Sequence, residues 1–175
     1  MTPTWRPMVA ADLAPVLALA DRLHPHHPES PAVFAERLAL APEGCRVLAG
    51  AGGPLGYAVS HPWTLEGPPA LDTLLGALPA RPTALHIHDI ALDPAARGAG
   101  HAGAVLRALL ATARLPCATL VAIPGTGDYW TRRGFREAPV AVPAALASYG
   151  AGARFMLRDP AAAARQAGRG ATGRR

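Results

Sequence analysis

Two histidines, His86 and His88, stand two residues apart in the apolar run "ALHIHDIAL" at 84–92. Histidine titrates near pH 6.5 and can accept a proton near neutrality. Residues two apart on a strand share a face, about 6.5 to 7 Å apart, a gap that one water bridges. The pair is therefore suited to relay a proton away from an amine. A protonated amine, with a pKa of about 10.4, cannot act as a nucleophile until that proton leaves. Close behind comes Arg97-Gly98-Ala99-Gly100-His101-Ala102-Gly103, which follows a strand and opens a helix. Small residues let a phosphate approach the backbone, and the first amides of a helix lack partners inside it, so the loop reads as an anion site. It lacks the Lys-Ser/Thr pair of nucleoside-triphosphate loops, for the chain contains no lysine. It also departs from the dinucleotide G-x-G-x-x-G loop, because Asp93-Pro94 intervene between strand and glycines.

The elements that must position these groups follow from periodicity and turn chemistry. "TWRPMV" reads as a first strand, "AADLAPVLALADRLH" and "AVFAERLALA" as two helices, and "CRVLAGAGGPLGYAVSH" as a hairpin turning at Gly52–Gly53. Residues 62–83 form a long insertion with five prolines and an apolar centre, "LDTLLGAL", that suits a helical turn or two. The histidine strand comes next. A helix from about 100 to 113 follows, then the strand "CATLVAI" and a short helix in "GTGDYWTRRGF" that stops at Gly134. "REAPVAV" and "ARFMLRD" read as final antiparallel strands. The expectation is a single α/β domain over residues 1–160. Its mixed, mostly antiparallel sheet carries helices on both faces, and a basic Ala/Gly/Arg-rich tail occupies 161–175.

Composition supports a folded, soluble globule: of 175 residues, half are hydrophobic and only 5% aromatic, so Ala, Leu and Val must build the core. The net charge of +5 arises largely from Arg165, Arg169, Arg174 and Arg175 in the tail, which argues against a nucleic-acid-binding surface on the body. No apolar run approaches the ~20 residues that span a bilayer, and no signal peptide is evident, so a cytoplasmic location with no membrane partner is expected. Cys45 and Cys117 read as buried free thiols, and the H-x-H pair has no third ligand at useful spacing, so no metal is expected. His24, His26 and His27 fall in a proline-broken loop that reads as solvated or as the edge of a pocket.

Arg97-x-x-Gly100-x-Ala102, between "IALDP" and an Ala/Leu helix, fits the R/Q-x-x-G-x-G/A signature of the GNAT acetyltransferase superfamily, and the order of elements resembles it over residues 4 to 158. The resemblance implies acetyl-CoA as cosubstrate. Its pyrophosphate would lie on the amides of Gly98, Ala99, Gly100, His101, Ala102 and Gly103 beside Arg97, and its pantetheine arm along Ile90, Ala91 and Leu92. "HIHDIALDPAARGAGHAG", "PESPAVFAERLALAPEGC" and "GYAVSHPW" are similar to the arylalkylamine N-acetyltransferase family, which carries H-x-H on this strand. That similarity implies a small primary amine as substrate, an arylalkylamine among the candidates, with His86 and His88 as the proton relay. Phe34, Trp63, Asp89 and Trp130 would line the pocket. Trp130 stands where the family has a tyrosine, so the leaving thiolate's proton would come from neighbouring Tyr129 or from water. Other amines remain open: a polyamine site should gather Glu29, Glu66 and Asp89, an aryl site Phe34, Trp63 and Leu65, and an aminoglycoside or a protein N-terminus is a further alternative. So is a non-catalytic acyl-CoA-binding module. The chain is expected to act as a monomer or homodimer.

Overall fold

The computed structural model describes residues 2–159, so the tail expected at 161–175 lies outside the described residues. Seven strands form one sheet in the order β1-β2-β3-β4-β5-β7-β6. They are β1 (Thr4–Pro7), β2 (Arg46–Gly50), β3 (Gly53–Trp63), β4 (Ala84–Leu92), β5 (Cys117–Ala122), β6 (Arg136–Glu137) and β7 (Arg154–Arg158). Only β4 and β5 run parallel, joined by the crossover helix α3 (His101–Ala113); every other pairing is antiparallel. The mostly antiparallel α/β sheet expected from the sequence is therefore the fold observed.

Each face of the sheet has its own core. Helices α1 (Leu13–Leu23) and α2 (Pro31–Leu40) place Val16, Leu19 and Phe34 on Val47, Tyr57, Val59 and Ala91. On the other face α3 places Val105, Leu106 and Leu109 on Ala58, Leu85, Ile87, Ala118 and Leu120. The short helix α4 (Gly127–Thr131) brings Trp130 against this second core and unwinds to Gly134, whose φ of +85° suits glycine. The Gly134 and Phe135 amides return to the Thr131 and Trp130 carbonyls at 3.0 and 3.2 Å.

Three local expectations change. First, β3 continues through Trp63, which pairs with Ala84, so the insertion begins at residue 64. Second, "LDTLLGAL" makes no helix among the described residues. Side chains take four of its amides, those of Leu71, Asp72, Leu75 and Gly76, and the Thr73 carbonyl, partners that a helix would otherwise supply. Both oxygens of the Glu36 carboxylate accept, from the Leu75 and Gly76 amides at 2.7 and 2.8 Å, and Arg37 donates to the Thr73 carbonyl at 2.8 Å. Third, "REAPVAV" pairs only at Arg136–Glu137. Pro139, with no N–H, interrupts it, and a short helix α5 (Pro143–Ala147) intervenes before β7. Of the two cysteines, Cys45 is buried, with burial pushing its thiol up to about 12, whereas Cys117 is only half-buried.

A polar seam crosses the middle of the sheet. His61 and Thr119 are the register partners of His86 on either side, so the three side chains share the face away from α3. All three are buried, and His86 Nδ1 lies 3.1 Å from Thr119 Oγ1. Burial pushes His61 down to about 3 and His86 well below its ordinary value of 6.5. A histidine held neutral in the fold gains a proton on unfolding, so stability falls as pH drops from about 6.5 toward the folded value. His61→Gln should flatten the stability–pH curve over that window, with about one proton fewer taken up on unfolding near pH 5. Urea titrations at pH 7, 6 and 5 test this; an unchanged acid slope would mean that His61 does not titrate in the unfolding transition.

The turn of Pro42–Gly44 packs over the edge of β3 beyond the end of β2. A β-carbon at Gly44 would lie 1.9 Å from the Ser60 carbonyl oxygen, a backbone atom that cannot swing aside. Gly44→Ala should therefore destabilise the fold by about 1–3 kcal/mol. A urea midpoint equal to the parent's would show that this contact is not close in solution.

Candidate active site

Strand β4 leaves its regular path at His88. Val59 pairs with Asp89 and Ser60 with Ile87, so His88 is an extra residue in the ladder, a β-bulge. At the same level β4 parts from β5, whose pairing ends at Ile87↔Leu120. From His88 onward the β5 side of β4 has no strand neighbour. The gap is the cavity: Ile87, His88, Asp89 and Ile90 form one wall, and Leu120, Val121 and Ile123 the other, around about 120 Å³. Its polar end holds His24, His27, Glu29 and Tyr149; Trp130, Thr126 and Leu71 complete the lining.

The bulge turns the His88 ring toward the loop between α1 and α2. There His88 Nε2 lies 2.8 Å from Glu29 Oε2, and both side chains are almost wholly removed from solvent. An ionised carboxylate can only accept, which puts the ring proton on Nε2 and leaves Nδ1 as the lone-pair nitrogen. That Nδ1 is buried and has no hydrogen-bond partner among the described residues. Glu29 is itself held, since its other oxygen accepts from the Asp72 amide at 3.2 Å, and Asp72 Oδ1 accepts from the Ser30 amide at 2.6 Å. The insertion thus acts as a strap. Tyr149 ties it to the far end of the chain through its hydroxyl, which donates to the Pro69 carbonyl at 3.0 Å, while His27 Nε2 reaches the Tyr149 carbonyl at 3.0 Å.

Asp89 follows the bulge and faces α1. Burial alone would raise its carboxyl, but His24 and the Tyr57 hydroxyl outweigh that and hold it below the ordinary range. His24 Nε2 lies 3.2 Å from Asp89 Oδ2, out of line for a hydrogen bond but close enough for an ion pair. The contact raises His24, against the opposing effect of burial.

The structure separates the expected site residues. His88, Asp89, Ile90 and Trp130 line the cavity. His86 stands behind its wall, its ring 6.5 Å from that of His88. Phe34 is a core residue, edge-on to Tyr57 at 5.8 Å, and does not line this cavity. Neither does Trp63, whose ring stands edge-on to His61 at 5.5 Å and whose Nε1 donates to the Gly67 carbonyl at 3.1 Å. Tyr129 points away from it, under the Arg133 guanidinium at 3.4 Å. Of the acids named for a polyamine, Glu29 and Asp89 line the cavity and Glu66 does not. Of those named for an aryl group, none of Phe34, Trp63 and Leu65 does. Sequence reasoning missed the Glu29–His88 pair, because 59 residues separate the two. It also missed Tyr149, which lies in an unassigned stretch. His61, overlooked too, does carry a signal: it ends an apolar strand and is followed by Pro62-Trp63.

At the carboxyl end of β4 the chain passes Asp93, whose side chain accepts from the Ala95 amide at 3.0 Å, and enters the glycine loop. Gly98 and Gly100 take φ of +82° and +81°, where a side chain would be strained, and nothing lies within 4 Å of a β-carbon at either. Arg97, Gly98, Ala99 and Gly100 are exposed. The Arg97 Nε donates to the Leu92 carbonyl at 3.1 Å, closing the loop onto the strand. Helix α3 starts at His101, and Ala104 is the first residue to bond back, to the Gly100 carbonyl at 3.0 Å. The amides of His101, Ala102 and Gly103 therefore have no acceptor within the helix. An open backbone cradle of this kind suits a pyrophosphate. Among the described residues no group of three or more His, Cys, Asp or Glu side chains is placed to hold a metal ion, and no helix is long and apolar enough to cross a membrane.

Solved structures share this fold at low identity. Ard1 from Thermoplasma volcanium is 18% identical with a TM-score of 0.67, over 91% of this chain and 98% of its own. A GNAT-like decarboxylase, GphF, in complex with isobutyryl-CoA is 19% identical with a TM-score of 0.70, over 89% and 98%. Arabidopsis thaliana Naa50, in complex with the bisubstrate analogue CoA-Ac-MVNAL, is 12% identical with a TM-score of 0.64, over 91% and 99%. No curated protein matches in sequence. The model of the acetyltransferase (GNAT) family matches residues 13–135, which takes in α1, the histidine strand, the glycine loop and α4, and the chain belongs to that family.

Proposed function

We propose that the protein transfers the acetyl group of acetyl-CoA to the primary amine of a small molecule, with His88 as the base. The observation that carries the reading is the buried Glu29–His88 pair, whose histidine lines the cavity between β4 and β5 and whose Nδ1 has no hydrogen-bond partner among the described residues. The glycine loop supplies amides for the donor's pyrophosphate, and the parted strands offer Ile90, Ala91 and Leu92 to its pantetheine arm. The acyl group then enters the cavity beside His88.

The amine arrives as an ammonium ion, pKa about 10.4. His88 Nδ1 takes one proton from it, and the nitrogen lone pair so freed attacks the thioester carbonyl. The new C–N bond forms as the C–S bond breaks, and the sulfur leaves as a thiolate that gains a proton from the attacking nitrogen or from water. Glu29 stabilises the imidazolium and keeps the tautomer that leaves Nδ1 open, the same division of labour as in hydrolase triads. His86 is not the first acceptor in this scheme. It lies outside the cavity wall and burial holds it neutral; its place is behind His88, as a positioning residue or the next step of a relay.

A cationic, polyamine-like substrate fits the lining better than an arylalkylamine, since Glu29 and Asp89 line the cavity and Phe34 and Trp63 do not. Arabidopsis thaliana Naa50 and Chaetomium thermophilum Naa20 share this fold in complexes with bisubstrate analogues, that of Naa50 being CoA-Ac-MVNAL, so a peptide amine is the reading to exclude.

His88→Gln should lower kcat/KM by about 10² to 10⁴-fold at neutral pH, the usual contribution of a general base. Raising the pH should recover part of the loss, because more of the amine is then already neutral. Glu29→Gln should lower kcat with the acetyl-CoA KM little changed, and His86→Gln should cost less than His88→Gln. Thiol release from acetyl-CoA with a diamine, an arylalkylamine and a short peptide measures all of these. Equal pH–rate profiles for parent and His88→Gln would sink the assignment of His88.

A further inference from the structure

Beyond the glycine loop, α3, α4 and β7 surround a surface depression of about 510 Å³ that nothing in the acyl transfer uses. Four arginines line it, Arg107, Arg132, Arg133 and Arg158, together with Gly103, and among the described residues no carboxylate is part of the wall. Four like charges at one depression repel unless something holds them. Arg133 lies with its guanidinium carbon 3.4 Å from the centre of the Tyr129 ring, and its Nη1 donates to the Tyr129 carbonyl at 2.9 Å. Arg158 Nε donates to the Arg133 carbonyl at 3.2 Å. A β-carbon on Gly103 would lie 3.5 Å from Arg107 Nη1 and 3.9 Å from Arg133 Nη2. Two guanidinium ends therefore flank the first turn of α3, where the unpaired amides begin. The arrangement concentrates donors and positive charge around an open space, which is the recognition chemistry of a phosphomonoester dianion.

We infer that this depression binds the 3′-phosphate on the ribose of the acyl-CoA donor, and so selects CoA thioesters over the same acyl group on a carrier that lacks that phosphate. The inference rests on the acyl-CoA reading above. In CoA the pyrophosphate joins two arms, pantetheine and adenosine. With the pyrophosphate on the loop and pantetheine between β4 and β5, the adenosine must leave on the opposite side. Gly103 belongs to both the loop and the depression, so the ribose phosphate emerges beside the arginines. Tyr129 acquires a place in this scheme as the platform that orients Arg133.

Calorimetry with CoA and dephospho-CoA, which differ only in that phosphate, tests the inference. The parent should bind CoA about tenfold or more tightly than dephospho-CoA, the scale of a charge-assisted hydrogen bond, and added salt should narrow the gap. Arg133→Gln, and separately Arg107→Gln at an exposed position, should weaken CoA toward the dephospho-CoA value while leaving dephospho-CoA unchanged. Equal affinity of the parent for the two nucleotides overturns the inference while leaving the acyl-CoA reading intact. An equal loss of both in Arg107→Gln also overturns it, because the arginine would then serve the loop and not the 3′-phosphate. If neither nucleotide binds the parent, the acyl-CoA reading falls and the inference falls with it.

Discussion

The hydrogen bond between Glu29 and His88 governs how the site is built. A carboxylate removed from water needs a donor, and a histidine ring needs something to fix which nitrogen bears its proton. Each supplies the other's need, at 2.8 Å and almost out of reach of solvent. The contact can form only because the bulge at His88 breaks the alternation of β4 and the loop after α1 crosses the end of the strand. Removing either partner would leave a buried polar group unsatisfied, which costs more than the bond contributes when made. The geometry therefore fixes the loop, the strap and the bulge together.

The strap shows how a segment without secondary structure becomes part of that arrangement. Residues 64–83 contribute almost nothing to the sheet, yet four of their amides and two of their carbonyls are held by the side chains of Glu29, Glu36, Arg37, Ser148 and Tyr149. Arg37 is fully buried and its guanidinium is pushed down by burial, which Glu36 and Glu29 oppose. Charge inside the protein is tolerated there because it closes hydrogen bonds to backbone that would otherwise be stranded. A helix in "LDTLLGAL" would satisfy the same backbone internally and leave the Glu36–Arg37 pair without its backbone partners at Thr73, Leu75 and Gly76.

Much of the architecture was legible because it is local. The run at 84–92, the two apolar-striped helices and the glycine loop each carry their own signal in sequence, and each forms close to its expected span, the first helix opening with a 3-10 turn at Ala10–Asp12 before α1 begins. The site was legible only in part, because its key relations are not local. The step of two between His86 and His88 suggests equivalent histidines. The bulge makes them unequal, placing one at the cavity and the other behind it, and it depends on pairing with β3 that neither residue encodes. Trp63 and Tyr129 invite a role in the pocket by type and position. Their neighbours, His61 and Arg133, claim them instead.

The parting of β4 from β5 is the remaining step from fold to chemistry. Where two parallel strands stay paired, their backbone groups are consumed by the ladder and no ligand can reach them. Here pairing stops at Ile87, and the same strand that presents Asp89 and His88 side chains at the cavity leaves backbone groups on its β5 side for a ligand. At its end the strand runs into the glycine loop, whose amides are also open. One continuous stretch, residues 88 to 103, therefore sets a buried histidine, a length of strand with no partner strand on its β5 side among the described residues, and the open amides at the start of α3 along a single line. An extended molecule with a reactive end and a charged middle matches that line in order. In the reaction we propose, that order assigns the proton chemistry to His88 and the phosphate chemistry to the loop that ends the same strand.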